Sequence, residues 1–224
     1  MKKPVGITWT RYGPDAILFC FGNVIDDELF YRGRAINEFL ARRPVQGMIE
    51  FVVSYHAVLL EFESPITRTR AEEIASLLTT AGVEEQPQPV QEMKVPVIYN
   101  GPDLRRVAEH NRLSIEEVVA LHAAPIYKVY AMGFSPGFPY LGDLDPRLHT
   151  PRLESPRKDV PAGAVAIGGA QTGVYPIRSP GGWNIIGQAD VTLFKPLLLQ
   201  SENPENAFYL KQGNRVKFVP VMAS

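Results

Sequence analysis

The 224-residue chain has a single cysteine, Cys20, which excludes an internal disulfide; its place inside "AILFCFG" reads as a small buried hydrophobe. No run approaches the roughly 20 apolar residues that a membrane-spanning helix needs. Near the start, Arg11 and Asp15 interrupt any stretch that could serve as a signal-peptide core. Neither sign of charge dominates, since 23 basic and 24 acidic residues leave a net charge of -1 with no long run of either. That balance gives no electrostatic footprint for nucleic acid or an anionic membrane. The four histidines, His56, His110, His122 and His149, are scattered, and no His or Cys pair has metal-ligand spacing, so no metal site is expected. Small molecules and proteins are the expected partners, and the cytoplasm is the expected compartment.

What the chain does have is enough apolar material, 45% of its residues, for one generous core or two small ones. "DAILFCFG" reads as a strand. The following "IDDELFYRGRAINEFLARRP" places Leu29, Gly33, Ile36 and Leu40 on one helical face. "GMIEFVV" and "AVLLEFE", separated by Ser54-Tyr55-His56, read as a hairpin. "TRAEEIASLLTTAG" predicts a second helix, with Thr69 and Glu72 at capping-box spacing, Ile74, Leu77, Leu78 and Ala81 as its apolar stripe, and Gly82 as its stop. This order describes a small α+β domain over residues 1–85. The polar, proline-bearing "EEQPQPVQE" suits a linker, placed at 86–92.

From residue 93 to 224 the texture changes to short β-rich pieces, "MKVPVIY", "IYKVYAMG", "AGAVAIGG", "WNIIG" and "RVKFVP", between turns rich in glycine and proline. That is the pattern of a closed barrel or a sandwich. Its one helical region is "GPDLRRVAEHNRLSIEEVVALHAA", where Asp103 can cap one helix and Ser114 with Glu117 forms a capping box for the next.

"GFSPG" at 133–137 matches the pattern of a serine-hydrolase nucleophile, Ser135. The next residue, Pro136, has no N–H to help hold an oxyanion, and "GFPYLGDLDP" cannot start the helix that such a turn requires. Ser135 therefore reads as a turn residue. "GGAQTG" at 168–173 has the glycine spacing of a phosphate loop, but Val174 and Tyr175 stand where lysine and Ser/Thr belong, so the glycines read as turn residues. Asp143 and Asp145 beside Pro146 suit Asx turns better than a cation site. His122 shares a stripe with Ile115, Val118 and Val119, which suits a hydrogen-bonded core histidine at least as well as a pocket acid or base. Arg152 and Arg157 each follow a proline, so two guanidinium forks on stiff backbone suit carboxylate or phosphate, and equally suit a solvated loop. Tyr175, Arg178 and Trp183 surround a Pro-Gly-Gly turn and can line a pocket mouth or plug a barrel end.

Taken in order, "YNGPDL", "GFSPGFPYLGDLD", "TPRLESPR", "VPAGAVAIGG", "TGVYPIRSPGGWNIIG" and "GNRVKF" resemble the family of the B component of 5-oxoprolinase, also called KipI or allophanate hydrolase subunit 1. The resemblance implies a cyclophilin-like barrel behind a small α+β domain. It also implies partners. One is a C-type component resembling allophanate hydrolase subunit 2, which would complete a carboxyltransferase-like module. The other is an A-type component, with which ATP hydrolysis drives opening of the 5-oxoproline ring. Nothing in this chain by itself reads as an ATP site. Some relatives are described as inhibitors of a histidine kinase; that role, or a carboxyltransferase-like role in urea or allophanate metabolism, is the alternative. Carried over by motif, the substrate-binding candidates are Phe134, Pro136, Phe138, Tyr140, Arg152, Gln171, Tyr175 and Trp183, with His122 and Arg157 as the catalytic candidates. The sequence departs from the family pattern at Ala164, Gln188-Ala189 and Asn214; Gln188 stands where a cation is usual.

Overall fold

A computed structural model describes residues 6–81 and 91–222. The chain divides into two compact units, Met1–Gln88 and Pro89–Ser224. Most of the expected linker, 86–90, lies outside the described residues, and Glu92 already belongs to a strand.

In the first unit, strands β1 (Thr8–Arg11), β2 (Ala16–Cys20), β3 (Met48–Ser54) and β4 (Ala57–Phe62) form an antiparallel sheet in the order β1-β2-β4-β3. Helices α1 (Asp27–Arg42) and α2 (Arg68–Thr80) complete it. Alternation decides the buried face: Ile17 and Phe19 of β2 and Val58, Leu60 and Phe62 of β4 point into a core shared with Ile36, Leu40, Ile74 and Leu78 of the helices. The expected stripe of α1 is buried, and Asp26 caps it by accepting from the Leu29 N–H at 2.8 Å.

Two details differ from expectation. Strand β1, "TWTR", is too polar to announce itself, because as an edge strand it offers only Trp9 to the core. In α2 the cap is Thr67, which accepts from the Arg70 N–H, not Thr69; the helix therefore presents Ala71 and Ala75 inward and leaves Leu77 exposed. Gly82 lies outside the described residues.

The second unit contains β5 (Glu92–Ile98), α3 (Leu104–Asn111), α4 (Ile115–Ala123), β6 (Tyr127–Met132), β7 (Pro139–Leu141), β8 (Arg157–Val160), β9 (Ala164–Gly168), β10 (Gln171–Val174), β11 (Ser179–Gly181), β12 (Asn184–Ala189) and β13 (Arg215–Pro220). Seven strands close a barrel in the order β10-β7-β6-β13-β5-β12-β9, while β8 and β11 form a separate two-stranded ribbon. Closure removes the sheet edges that strands this short would otherwise expose. Val95, Val97, Tyr127, Val129, Val165, Ile167, Ile186 and Phe218 fill the core, on which α3 and α4 pack with Val107 and Val118. The capping box of α4 is formed: Ser114 Oγ accepts from the Glu117 N–H and the Glu117 carboxylate accepts from the Ser114 N–H. Asp103 stands at the N-cap of α3 but makes no cap hydrogen bond; its carboxylate is used elsewhere.

Candidate functional site

The loop between β6 and β7 is pinned by hydrogen bonds from the Gly133 N–H to the Phe138 carbonyl at 3.1 Å and from the Phe138 N–H to the Ser135 carbonyl at 3.0 Å. This holds Phe134 at φ 67°, a left-handed conformation costing a bulky residue about 1–3 kcal/mol. The strain places its ring, 61% exposed, edge-on to Phe138 at 5.5 Å and to Tyr175 at 6.2 Å. Phe138 is the centre of the cluster, with Tyr140 at 5.0 Å, Tyr175 at 5.1 Å and Trp183 at 5.5 Å, all edge-to-face, the arrangement that ring quadrupoles favour.

Glycines give the rings their seat. The Trp183 ring lies against Gly168, and Gly173 touches both Phe138 and Trp183, so a side chain at either position would displace an aromatic ring. Gly168 and Gly173 sit inside strands and are not turn residues as expected; only Gly169, at φ 67°, turns the chain there. Indole and benzyl rings cover the segment at its two ends, Gly168 and Gly173, while nothing lies within 4 Å of a Cβ built at Gly169.

A cavity of about 310 Å³ opens on this cluster, lined by Phe134, Phe138, Tyr140, Tyr175 and Trp183 together with Arg152, Leu153, Glu154, Pro156, Gly181 and Gly182. The Arg152 guanidinium lies 5.7 Å from the centroid of the Trp183 ring, a cation–π distance, and makes no ion pair among the described residues. Burial raises the phenol pKa of both Tyr140 and Tyr175, with Arg152 pulling the other way, so both rings carry neutral hydroxyls at physiological pH. The arrangement can hold a small flat molecule with one anionic group facing Arg152.

Six of the ten residues expected at a site thus converge: Phe134, Phe138, Tyr140, Arg152, Tyr175 and Trp183. Pro136 lines a neighbouring groove of about 610 Å³ with Met132, Phe208 and Leu210, and shares Phe134 with the first cavity as a common wall. Gln171 opens β10, paired with Gly168, and is not among the cavity-lining residues. Arg157 spends its Nη2 on Asp103 at 2.7 Å, so the two arginines that look alike in sequence differ in role; its Nη1 is buried without a hydrogen-bond partner.

His122 is not brought to the cavity. It is fully buried, its ring centroid 4.6 Å from that of Phe218 at a tilt of 31°, with Nδ1 2.7 Å from the Tyr99 hydroxyl and Nε2 2.8 Å from Thr172 Oγ1. Thr172 donates its own proton to the Ala166 carbonyl, which leaves its oxygen to accept from His122 Nε2–H and Nδ1 to accept from Tyr99. Burial lowers the histidine pKa to about 3, so it is a neutral core group. Ser135 Oγ is buried with no hydrogen-bond partner and no base beside it among the described bonds, in keeping with the missing N–H of Pro136. No group of three metal-ligating side chains occurs among the described residues, and none of the described helices is long and apolar enough to cross a membrane.

Sequence reasoning passed over Asp103, Glu154, Asn184, Gly168 and Gly173 as site residues. Asp103, Asn184, Gly168 and Gly173 act through partners distant in sequence, and Glu154 only lines the cavity, so no local pattern signals them.

Residues 7–205 match the family described as carboxyltransferase domain, subdomain C and D, and the chain belongs to that family. It is 36% identical over 225 residues to the B subunit of 5-oxoprolinase from Bacillus subtilis, an alignment covering 94% of this chain and 91% of that protein. Among solved structures it resembles TTHA0988 at 37% identity and a TM-score of 0.74, covering 93% of this chain but 40% of that one. It also resembles the urea carboxylase of Kluyveromyces lactis at 20% identity and a TM-score of 0.81, covering 96% of this chain and 22% of that one; at this identity the likeness concerns the fold alone. The chain therefore spans less than half the length of these solved chains.

Proposed function

We propose that this chain is the B component of a cytoplasmic, ATP-dependent 5-oxoprolinase, and that its aromatic cavity holds the lactam substrate while partner subunits complete the reaction. The observation that carries this is the juxtaposition of Arg152 with the Trp183 ring in a cavity of small-molecule size, in a chain 36% identical to a protein of that name. 5-Oxoproline is a flat five-membered lactam bearing a carboxylate. Its carboxylate suits Arg152, its ring suits the faces and edges of Phe138 and Trp183, and its N–H suits the carboxylate of Glu154 on the same rim. Enclosure by aromatic walls excludes water from one side of the ring and orients the lactam carbonyl, which lowers the entropic cost of the later attack.

Opening a lactam requires activation of its carbonyl oxygen and delivery of water. The 168–173 segment is followed by Val174-Tyr175 and lacks the lysine and Ser/Thr of a nucleotide-binding loop, so no step through ATP is assigned to this chain, and we place nucleotide chemistry on the C-type and A-type partners. The reading is tested by co-purifying the chain with these partners and following ATP-dependent release of glutamate from 5-oxoproline. An assembled complex that releases none overturns it.

A second reading, docking to a histidine kinase, would have been favoured by an exposed apolar patch at Phe138 and Trp183, but these are only 2% and 5% exposed. It retains the groove beside Phe134 as its one supporting feature. Capture of the purified chain by a histidine kinase would support it. A urea- or allophanate-directed role would instead require a biotin-bearing partner to co-purify.

A further inference from the structure

Two of the walls of the cavity are not adjacent in sequence. One is the extended segment 151–157, which carries Arg152 and Glu154; the other is the Gly181-Gly182-Trp183 corner leading into β12. They touch through the Leu153 N–H, which donates to the Gly182 carbonyl at 2.7 Å, and through the pairing of Arg157 with Gly181 across the β8–β11 ribbon. An arginine on an irregular segment keeps a defined position against an indole only if both ends of that segment are held.

Both ends are held, from one place. At the far end, Asp103 Oδ1 accepts from Arg157 Nη2 at 2.7 Å, and its Oδ2 accepts from the Ile185 backbone N–H at 2.7 Å, two residues beyond Trp183. The Asp103 N–H also donates to the Ile185 carbonyl at 2.9 Å, so this one residue is bonded to both walls. At the near end, the buried Asn184 donates from Nδ2 to the carbonyls of Pro151 and Ile167, both at 3.0 Å, while its Oδ1 accepts from Arg106 Nε of α3 at 2.9 Å. Pro151 immediately precedes Arg152.

The approach of the 99–103 segment is itself built for this. It lies on the bulge of β12 so closely that Gly101 has no room for a Cβ against the Ile185 carbonyl. Asp103 occupies the N-cap of α3 yet makes no capping bond, although an N-cap aspartate ordinarily does. A buried carboxylate, 6% exposed, that forgoes its local partner is committed to its distant ones.

We infer that Asp103, with Asn184, is a positioning residue of the aromatic cavity: together they tie both ends of the 151–157 wall to the barrel and so set where the Arg152 guanidinium meets the Trp183 ring. The inference rests on the reading of this cavity as the substrate site only for its kinetic consequence; the placement of the two walls does not depend on the ligand. Arg157, expected to act on substrate, is on this account a strut.

The test uses the full chain in a Trp9→Phe background, so that emission reports Trp183 alone, with Asp103→Asn, Arg157→Met and Arg157→Lys. Asparagine keeps an acceptor for the Ile185 N–H and nearly the same volume, which keeps the variant foldable. Without ligand, Asp103→Asn and Arg157→Met are expected to shift Trp183 emission to the red and to increase its quenching by iodide, and Arg157→Lys to restore most of the original spectrum. In the assembled complex, the first two are expected to raise KM for 5-oxoproline about tenfold with kcat within about twofold, and Arg157→Lys to recover most of that loss. Unchanged emission and unchanged KM in folded Asp103→Asn overturn the inference. If the spectra shift as expected but the unmodified complex releases no glutamate, the positioning role stands and the substrate assignment falls.

Discussion

The indole of Trp183 lies directly on the backbone of Gly168, leaving no space for a single additional carbon, and the Arg152 guanidinium lies 5.7 Å from the centroid of the same ring. Glycine is here the seat of a ring, and the position of the ring decides where the cation stands. Replacing Gly168 by alanine is therefore expected to push Trp183 toward the cavity, with a stability loss of about 1–3 kcal/mol typical of overpacking. Thermal melts of Gly168→Ala, together with its Trp183 emission in a Trp9→Phe background, measure both effects.

Phe134 is held at φ 67° by the hydrogen bonds of its loop, and its ring is exposed. Phe134→Gly is expected to melt at the same temperature or higher, gaining up to about 1 kcal/mol as the left-handed conformation becomes permissible. The same variant is expected to bind 5-oxoproline more weakly, because it removes a wall of the cavity. Opposite signs for stability and affinity would mark Phe134 as strained for function; loss of both would refute that.

Arg152 is the one cation among the described residues that line the cavity. Its replacement by methionine keeps bulk against Trp183 while removing a charge-assisted hydrogen bond, an interaction of about 1.5–3 kcal/mol. KM for 5-oxoproline in the complex is expected to rise between about tenfold and a hundredfold. A change of less than about twofold would place the substrate carboxylate elsewhere.

Ser135→Ala is expected to leave glutamate release within about twofold of the parent complex and the melting temperature equal or slightly higher. The hydroxyl is buried without a partner, so removing it relieves an unsatisfied group. A loss of several hundredfold in rate would revive the nucleophile that Pro136 argues against.

His122 links stability to pH. Its folded pKa is lowered to about 3 by burial, against about 6.5 when unfolded, so between these values the unfolded chain binds the extra proton. Stability is fully present above about pH 6.5 and is lost as pH falls, with a slope approaching about 1.4 kcal/mol per pH unit. Melting followed from pH 7 to pH 4 is expected to show this slope, and His122→Gln, weaker at neutral pH for lack of the Tyr99 and Thr172 bonds, is expected to flatten it.

Much of the fold was legible because it is written in short-range periodicity. The apolar stripe of α1, the hairpin β3–β4, the Ser114–Glu117 box and the strands β5, β6, β9, β12 and β13 each follow from spacing within a dozen residues. The short β7, β8, β10 and β11 did not show, since strands of three or four residues are too short to carry a readable alternation, and β7, β10 and β11 also contain glycine or proline. Within the site, the aromatics and Arg152 were found through motif resemblance. What separated Arg152 from Arg157 was not: both follow proline in the same segment, and only the barrel brings Asp103 to one and Trp183 to the other.

By itself the sequence determined two things: which stretches fold locally into helix and strand, because hydrophobic period and caps are local, and which two motif matches are incomplete, because Pro136 has no N–H for an oxyanion and Val174-Tyr175 stand where a phosphate loop has lysine and Ser/Thr. The tertiary structure alone decided what each polar group is for. Closing seven strands into a barrel buries His122 between Tyr99 and Thr172, diverts Asp103 from its helix cap to Arg157 and Ile185, and turns Gly168 and Gly173 from turn residues into a floor for aromatic rings. Those contacts join residues up to 82 positions apart, and a partner at that distance leaves no mark on the residues beside either end.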